Sequence, residues 1–487
     1  MFSLTKFIRS KRDFCKFLIG VVSMSAPWSA VQADDTGDTG EKQAPIVIEH
    51  VTVLPMTAQG AVIPDATVVI DNGRIASLGG PAPEDATRID GRGKWLIPGL
   101  ADLHVHLPSD ALPRPPRYRT EAPTIFFDTQ DIMTPFIANG VTQILNMDAV
   151  AASVGQRNQI VSGAVLGPHI ALAAIINGGQ SRGRIANSPA DGRQAVRDIK
   201  AEGYDFVKVY SNLNAETFAA IVDEARKQGM KTLGHIPDAQ DGFAGRIEGA
   251  FVPGFDMVAH AEEFAKQSPD FTDADAERFA KLAKANGTWV SPTLVAIRWI
   301  ASETRSLDEM KASPYLQYVH PLNQSKWIVA NRYNKNSTPE LIDYFDRMLD
   351  FNRRLVREFK KADVPIVAGT DALTSGVIGG FSLHEELELL VKAGLTNEDA
   401  LTSATRLPAI WLGVDSDRGT IEVGKRADLV LLDADPLVDI ANTRKIGGVF
   451  LSGRWLDRAT LDSMLTDLSK RNTDTKDQYD WNRLMRQ

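Results

Sequence analysis

Gly99-Leu100-Ala101-Asp102-Leu103-His104-Val105-His106 is the stretch on which the fold turns. Its apolar positions read as a short buried strand. Residues two apart on a strand share a face, so His104 and His106 point the same way. Two imidazoles on one face can grip one metal ion; the same pattern is also met as two unrelated polar residues on a strand. The chain that follows decides between these readings. Short apolar strands alternate with amphipathic helices, which is the signature of a parallel sheet. Eight candidate strands end near His106, Leu145, Ala174, Tyr210, His235, His260, Pro292 and Asp371. Helices such as Ala215–Lys227, Asp273–Ala285 and Leu341–Lys361 lie between them. This predicts an α/β fold with a closed (β/α)8 TIM barrel, whose catalytic groups gather where its strands end.

The strand ends carry the chemistry. Lys208 lies inside the apolar run Phe206-Val207-Lys208-Val209, where an ammonium is costly to desolvate. It either snorkels at a strand end or is a lysine with altered charge or covalent state. His235 and His260 each end an apolar strand, and four of the chain's eight histidines fall at such ends. Any one alone reads as a structural residue; the set does not. Asp371 ends Pro365-Ile366-Val367-Ala368-Gly369-Thr370-Asp371. It is a turn or N-cap residue by itself, and a metal ligand and general base in this company. Imidazoles and carboxylates suit zinc, with other first-row metals open.

The remainder of the chain frames this barrel. Residues 1–33 hold Lys6, Arg9, Lys11, Arg12 and Lys16, then an apolar run from Phe17, then Val31-Gln32-Ala33. They read as a secretory signal peptide, too short in its apolar part to be a stable membrane anchor. The expected location is periplasmic or secreted. Without them the formal net charge falls from −8 to −12, because five basic and one acidic side chains leave. That acidity argues against nucleic acid as a partner. Cys15, the single cysteine, leaves too, so thiolate chemistry is excluded from the mature chain. Residues 34–44 read as a flexible leader. Residues 45–97 and 418–468 read as one small β-sandwich domain built from both ends, with the barrel, 98–417, inserted. Its strands include Ala66–Ile70 and Arg74–Leu78 around an Asp71-Asn72-Gly73 turn, then Gly419–Ile421, Asp428–Leu432 and Ile446–Leu451. Residues 469–487 read as a loose polar tail. The long connection from Thr293 to Val364 carries Trp299, Trp327, Arg332 and Tyr333; it is either a roof over a pocket or a packing elaboration.

The order His-x-His, Lys, His, His, Asp along successive strands resembles the amidohydrolase superfamily. Gly91–Leu100 and Gly419–Val430 resemble that family's entry into and exit from the barrel. Within it the chain is similar to the imidazolonepropionase-like group that includes prolidases and other Xaa-amino-acid dipeptidases. The resemblance implies two divalent metal ions. His104 and His106 would hold one with Asp371, His235 and His260 the other, and a carboxylated Lys208 would bridge them. Asp371 would take a proton from the attacking hydroxide and return it to the leaving amine. Two loops depart from the group. Gly178-Gly179-Gln180 stands where Gly-Gly-His is frequent, and Met147-Asp148 where an Arg-Asp pair is frequent.

The expected reaction is hydrolysis of an amide bond in a dipeptide, an N-acyl amino acid or another amide-linked small molecule. Rival readings are a mononuclear cyclic-amide hydrolase or deaminase with Lys208 unmodified, an esterase or lactonase, and a non-enzymatic binding protein. A homo-oligomer is left open. Tyr210, Gln180, Arg182 and Arg298 are candidate substrate contacts, with Arg184 beside them, because arginine pairs with a substrate carboxylate bidentately. Each arginine also reads as an ordinary solvated loop residue. The exported protein is expected to begin at Asp34; N-terminal sequencing that returns Met1 refutes the signal peptide.

Overall fold

The computed structural model describes residues 44–111, 125–179, 182–237 and 247–484. The signal peptide, all of the leader except Ala44, and Gln180 lie outside the described residues.

Seven barrel strands pair in parallel: Leu100–Val105, Val141–Asn146, His169–Asn177, Phe206–Val209, Thr232–Gly234, Phe255–Ala259 and Trp289–Ser291. Residues 365–372 form the eighth wall. Val290 N–H reaches the Pro365 carbonyl at 3.0 Å on one side. Leu103 N–H reaches the Ala368 carbonyl, also at 3.0 Å, on the other. The ring therefore closes, and the fold is a TIM barrel as expected. The third strand runs three residues past Ala174, because the two-residue strand Arg184–Ile185 pairs with its end.

Leu103, Leu145, Leu233, Met257 and Val367 fill the interior, all fully buried. Trp411, from the helix Arg406–Leu412, packs against Phe206 with ring centroids 4.9 Å apart. Alternate residues of the same strands face the surrounding helices, so the strands are apolar throughout. Helix starts follow local capping chemistry. Ser188, Asn214, Thr272 and Thr338 each accept the N–H three residues on, with proline next after Ser188 and Thr338.

Both chain ends share one eight-stranded sheet. Leu96 pairs with Leu431, joining a strand before the barrel to one after it. The Asp71-Asn72-Gly73 hairpin forms as expected, with Asn72 at φ 49° and Gly73 at φ 69°. Gly419–Ile421 is not a strand. Gly419 sits at φ 89°, which turns the chain, and Ile421 donates its N–H to the Pro55 carbonyl instead.

The loose tail expected over 469–487 is corrected as far as Leu484. Helix Arg458–Thr475 continues through Ser469, and Trp481–Leu484 is a further short helix. Leu461, Leu465 and Leu468 form a buried stripe at helical spacing, Arg471 pairs with Asp131, and Asn472 donates to the Gln317 carbonyl at 2.9 Å. A polar composition hid an amphipathic helix.

Gly99 marks how tightly the chain enters the barrel: a Cβ there would overlap the buried Thr142 side chain of the second strand. Gly99→Ala should cost about 1–3 kcal/mol, the usual range for overpacking. Thr142→Ala, which removes two of the three crowding atoms, should recover part of it. Urea midpoints of the single and double variants check this, and an unshifted Gly99→Ala midpoint refutes it.

Candidate metal centre

The strand ends bring their polar groups to one place inside the mouth. His104 Nε2 lies 3.2 Å and His106 Nε2 2.8 Å from Asp371 Oδ1. Ligand-type atoms of His104, His260 and Asp371 all lie within 4.8 Å of one another. Lys208, 1% exposed, sets its amine 3.3 Å from His104 Nε2. Ring centroids of His260 stand 4.4 Å from His104 and 5.1 Å from His235. His260 therefore sits as close to His104 as to His235, a more compact grouping than two separate pairs.

A second layer orients these rings, and sequence reading missed it. His260 Nδ1 is 2.8 Å from Thr293 Oγ1. His235 Nδ1 is 3.1 Å from Ser211 Oγ and 3.2 Å from Glu263 Oε1. Asp102, wholly buried, accepts the backbone N–H groups of His104 and Thr370 and the Thr370 hydroxyl. Positions three after His260 and two before His104 were the available signals for Glu263 and Asp102. Their roles depend on contacts between different strands, so spacing alone did not reveal them.

Burial sets the charges. Loss of water, then the Lys208 charge, holds His104 and His235 well below the ordinary imidazole range, and burial takes His260 down to about 4. All three are neutral at pH 7, the form in which an imidazole binds a metal. Burial, helped by the Arg182 charge and opposed by those of Asp371 and Glu263, brings the Lys208 amine down to about 8. Burial acts to raise Asp371, but the His106 hydrogen bond and charge, with His260 and Lys208, outweigh it and keep the carboxyl ionised. Burial raises Asp102 to about 7. Neutral imidazoles around one carboxylate are a donor set that fits a divalent first-row metal.

The expected substrate contacts divide. The Tyr210 ring stacks on His235 with centroids 4.1 Å apart, beside the cluster. Arg182 lies near enough to act on the charges of His106 and Lys208, but it is ion-paired with Asp148. Arg184 pairs with Glu202, the residue that ends the helix Pro189–Ala201. Arg298 is held between Glu309 and Glu385. Gln180 lies outside the described residues.

Barrel and cluster together define a hydrolase of the metal-dependent kind. A family model described as the amidohydrolase family matches residues 95–456, and the chain belongs to that family. It is accordingly an enzyme acting on carbon–nitrogen bonds. A 5-methylthioadenosine/S-adenosylhomocysteine deaminase of Symbiobacterium thermophilum is 25% identical over 446 residues, 80% of this chain and 85% of that protein. An imidazolonepropionase of Thermoplasma volcanium is 23% identical over 396 residues, 78% of this chain and 86% of its own. A Xaa-Pro dipeptidase crystal structure with bound methionine superimposes with a TM-score of 0.62 at 22% identity, covering 85% of this chain and all of that one.

Thr293→Val keeps the shape of the side chain and removes the oxygen facing His260. Partners of this kind are typically worth ~10- to 100-fold in metal affinity. Metal competition against a chromophoric chelator should show such a loss; unchanged affinity refutes an orienting role for Thr293.

Proposed function

We propose that this chain is an exported, binuclear metal-dependent hydrolase of an amide bond in a dipeptide, an N-acyl amino acid or a related amide-linked small molecule. The observation that carries the reading is the neutral imidazole cluster around Asp371, with a buried amine beside it. Among the described residues Lys208 makes no ion pair. Carboxylation resolves that strain. The neutral amine nitrogen bonds to the carbon of carbon dioxide and sheds a proton, leaving an anionic carbamate with two oxygens. His104, His106 and Asp371 would hold one ion, His235 and His260 the other, and the Lys208 carbamate would lie between them.

When bound, the ions supply the positive charge that polarises the amide carbonyl and acidifies the attacking water. The chain does the rest. Asp371, ionised and aimed into the mouth, takes the proton of the attacking water as a new carbon–oxygen bond forms. The tetrahedral carbon then expels the amine as Asp371 returns that proton to nitrogen and the carbon–nitrogen bond breaks. Thr293, Glu263 and Asp102 hold the surrounding groups in register. Tyr210 lies over His235, where it can meet the scissile group or its neighbour.

The names of similar proteins support carbon–nitrogen chemistry and leave the substrate to this chain's own loops. A deaminase reading needs the same water and the same Asp371, with Lys208 unmodified and one ion per chain; metal content separates the two. Export rests on residues 1–33, whose basic, apolar and small-residue order is that of a signal peptide.

Lys208→Ala should lose most of its metal, and short carboxylic acids that fill the gap should restore part of it. A Lys208→Ala protein that keeps two ions per chain and full activity refutes the bridge. Asp371→Asn keeps the shape and an oxygen but loses the proton shuttle. Turnover should fall by about 100- to 10,000-fold with KM changed far less. The measurement uses amides found in a panel of dipeptides, N-acyl amino acids and lactones, with metal analysis of the variant alongside. Near-normal kcat with both ions present refutes the role of Asp371. A panel in which only lactones turn over refutes the amide reading.

A further inference from the structure

The helical connection after the seventh strand reaches back over the mouth. Within it, Asn331 donates to Ser375 Oγ at 3.1 Å and to Glu303 Oε2 at 2.8 Å, and caps the turn Arg332–Lys335. Ser375 is four residues past Asp371, so this turn is tied to the loop that carries the proposed proton shuttle. The next side chain, Arg332, lies within electrostatic reach of Tyr210 and of Glu262. Tyr210 covers His235, and Glu262 is two residues past His260. Arg332 thus stands among the ends of the fourth, sixth and eighth strands.

The state of this arginine differs from that of the other three. Arg182, Arg184 and Arg298 each have a carboxylate partner. Among the described residues Arg332 makes no ion pair, Glu262 acting on it only from a distance. Its guanidinium is held by the Tyr333 hydroxyl at 2.6 Å and lies over the Tyr333 ring, 4.7 Å from its centroid. Tyr333 in turn packs edge-on against Phe345. A guanidinium fixed on one side by tyrosine keeps the rest of its donor fork for a bidentate partner.

Building on the amide-hydrolase reading above, we propose that Arg332 binds a free carboxylate on the amine half of the substrate. The enzyme then takes N-acyl amino acids and dipeptides with a free carboxylate in preference to neutral amides. Arg332 acts on specificity and not on bond breaking, so its loss raises KM and leaves kcat near normal.

The test separates binding from turnover. N-acetyl-L-leucine and N-acetyl-L-leucinamide are titrated by calorimetry into metal-loaded Asp371→Asn protein. The free acid should bind ~10- to 100-fold tighter, the range for a charge-assisted pair. Adding Arg332→Met should abolish that gap, Arg332→Lys should keep part of it because the charge survives without the fork, and Arg182→Met should leave it intact. Equal binding of acid and amide overturns the proposal. So does a gap that survives Arg332→Met or disappears with Arg182→Met. Wild-type protein that cleaves no amide, while its acid preference still follows Arg332, sinks the amide-hydrolase reading and sustains the carboxylate site.

Discussion

The closure of the barrel between its last and first strands is the constraint on which the site depends. Asp371 donates its N–H to the His104 carbonyl at 2.8 Å, so the carboxylate and the imidazole it faces are joined through the backbone. Two residues deeper along the strand, Asp102 ties the two strands again, accepting from both His104 and Thr370. A carboxylate at that depth is expensive, which is why burial lifts it to about 7. Its hydrogen bonds hold the residue before Asp371 and the backbone of His104 in a single register. Without that register His104, His106 and Asp371 would be three polar residues on separate segments.

The rest of the architecture serves this closure from two sides. The sheet built from both chain ends pairs Leu96 with Leu431, bringing the segments before and after the barrel together. At the other end, the helical connection supplies Thr293 to His260 and Asn331 to Ser375, and so reaches two strand ends at once. Its tryptophans are part of the packing: Trp299 and Trp327 are both buried, and a Cβ on Gly376 would strike the Trp299 ring. The connection is therefore a packing element of the barrel, tied to the loop after the eighth strand through Asn331 and Ser375.

The charges around the mouth show why a list of basic residues is a weak guide to substrate contacts. Arg182, Arg184 and Arg298 each sit in or just beyond a loop after a barrel strand, and Arg332 sits in a short helix of the long connection after the seventh. They differ in what lies opposite. Asp148, Glu202 and the pair Glu309 and Glu385 come from other loops and helices and neutralise the first three. Surface pairs of this kind add little stability, but they decide which cation is left to attract an anion.

The sequence by itself determined the barrel and its chemical inventory. Strand and helix periods are local, so alternation announced eight walls. A histidine, lysine or aspartate at the end of an apolar strand stands out because burying it is costly without a purpose. The same locality explains the misses. Gly419–Ile421 has strand-like residues, yet a positive φ at Gly419 turns it onto Pro55; residues 469–475 have a polar composition, yet they continue a helix docked by three leucines before them and by Arg471 and Asn472 within them. Only the tertiary structure decided which groups meet: Thr293 behind His260, Glu263 behind His235, Asp102 across the seam, and Arg332 on the Tyr333 hydroxyl. Those pairings join segments tens to hundreds of residues apart. Their energies depend on distance and exclusion of water, which are properties of the closed barrel and not of any stretch of its chain.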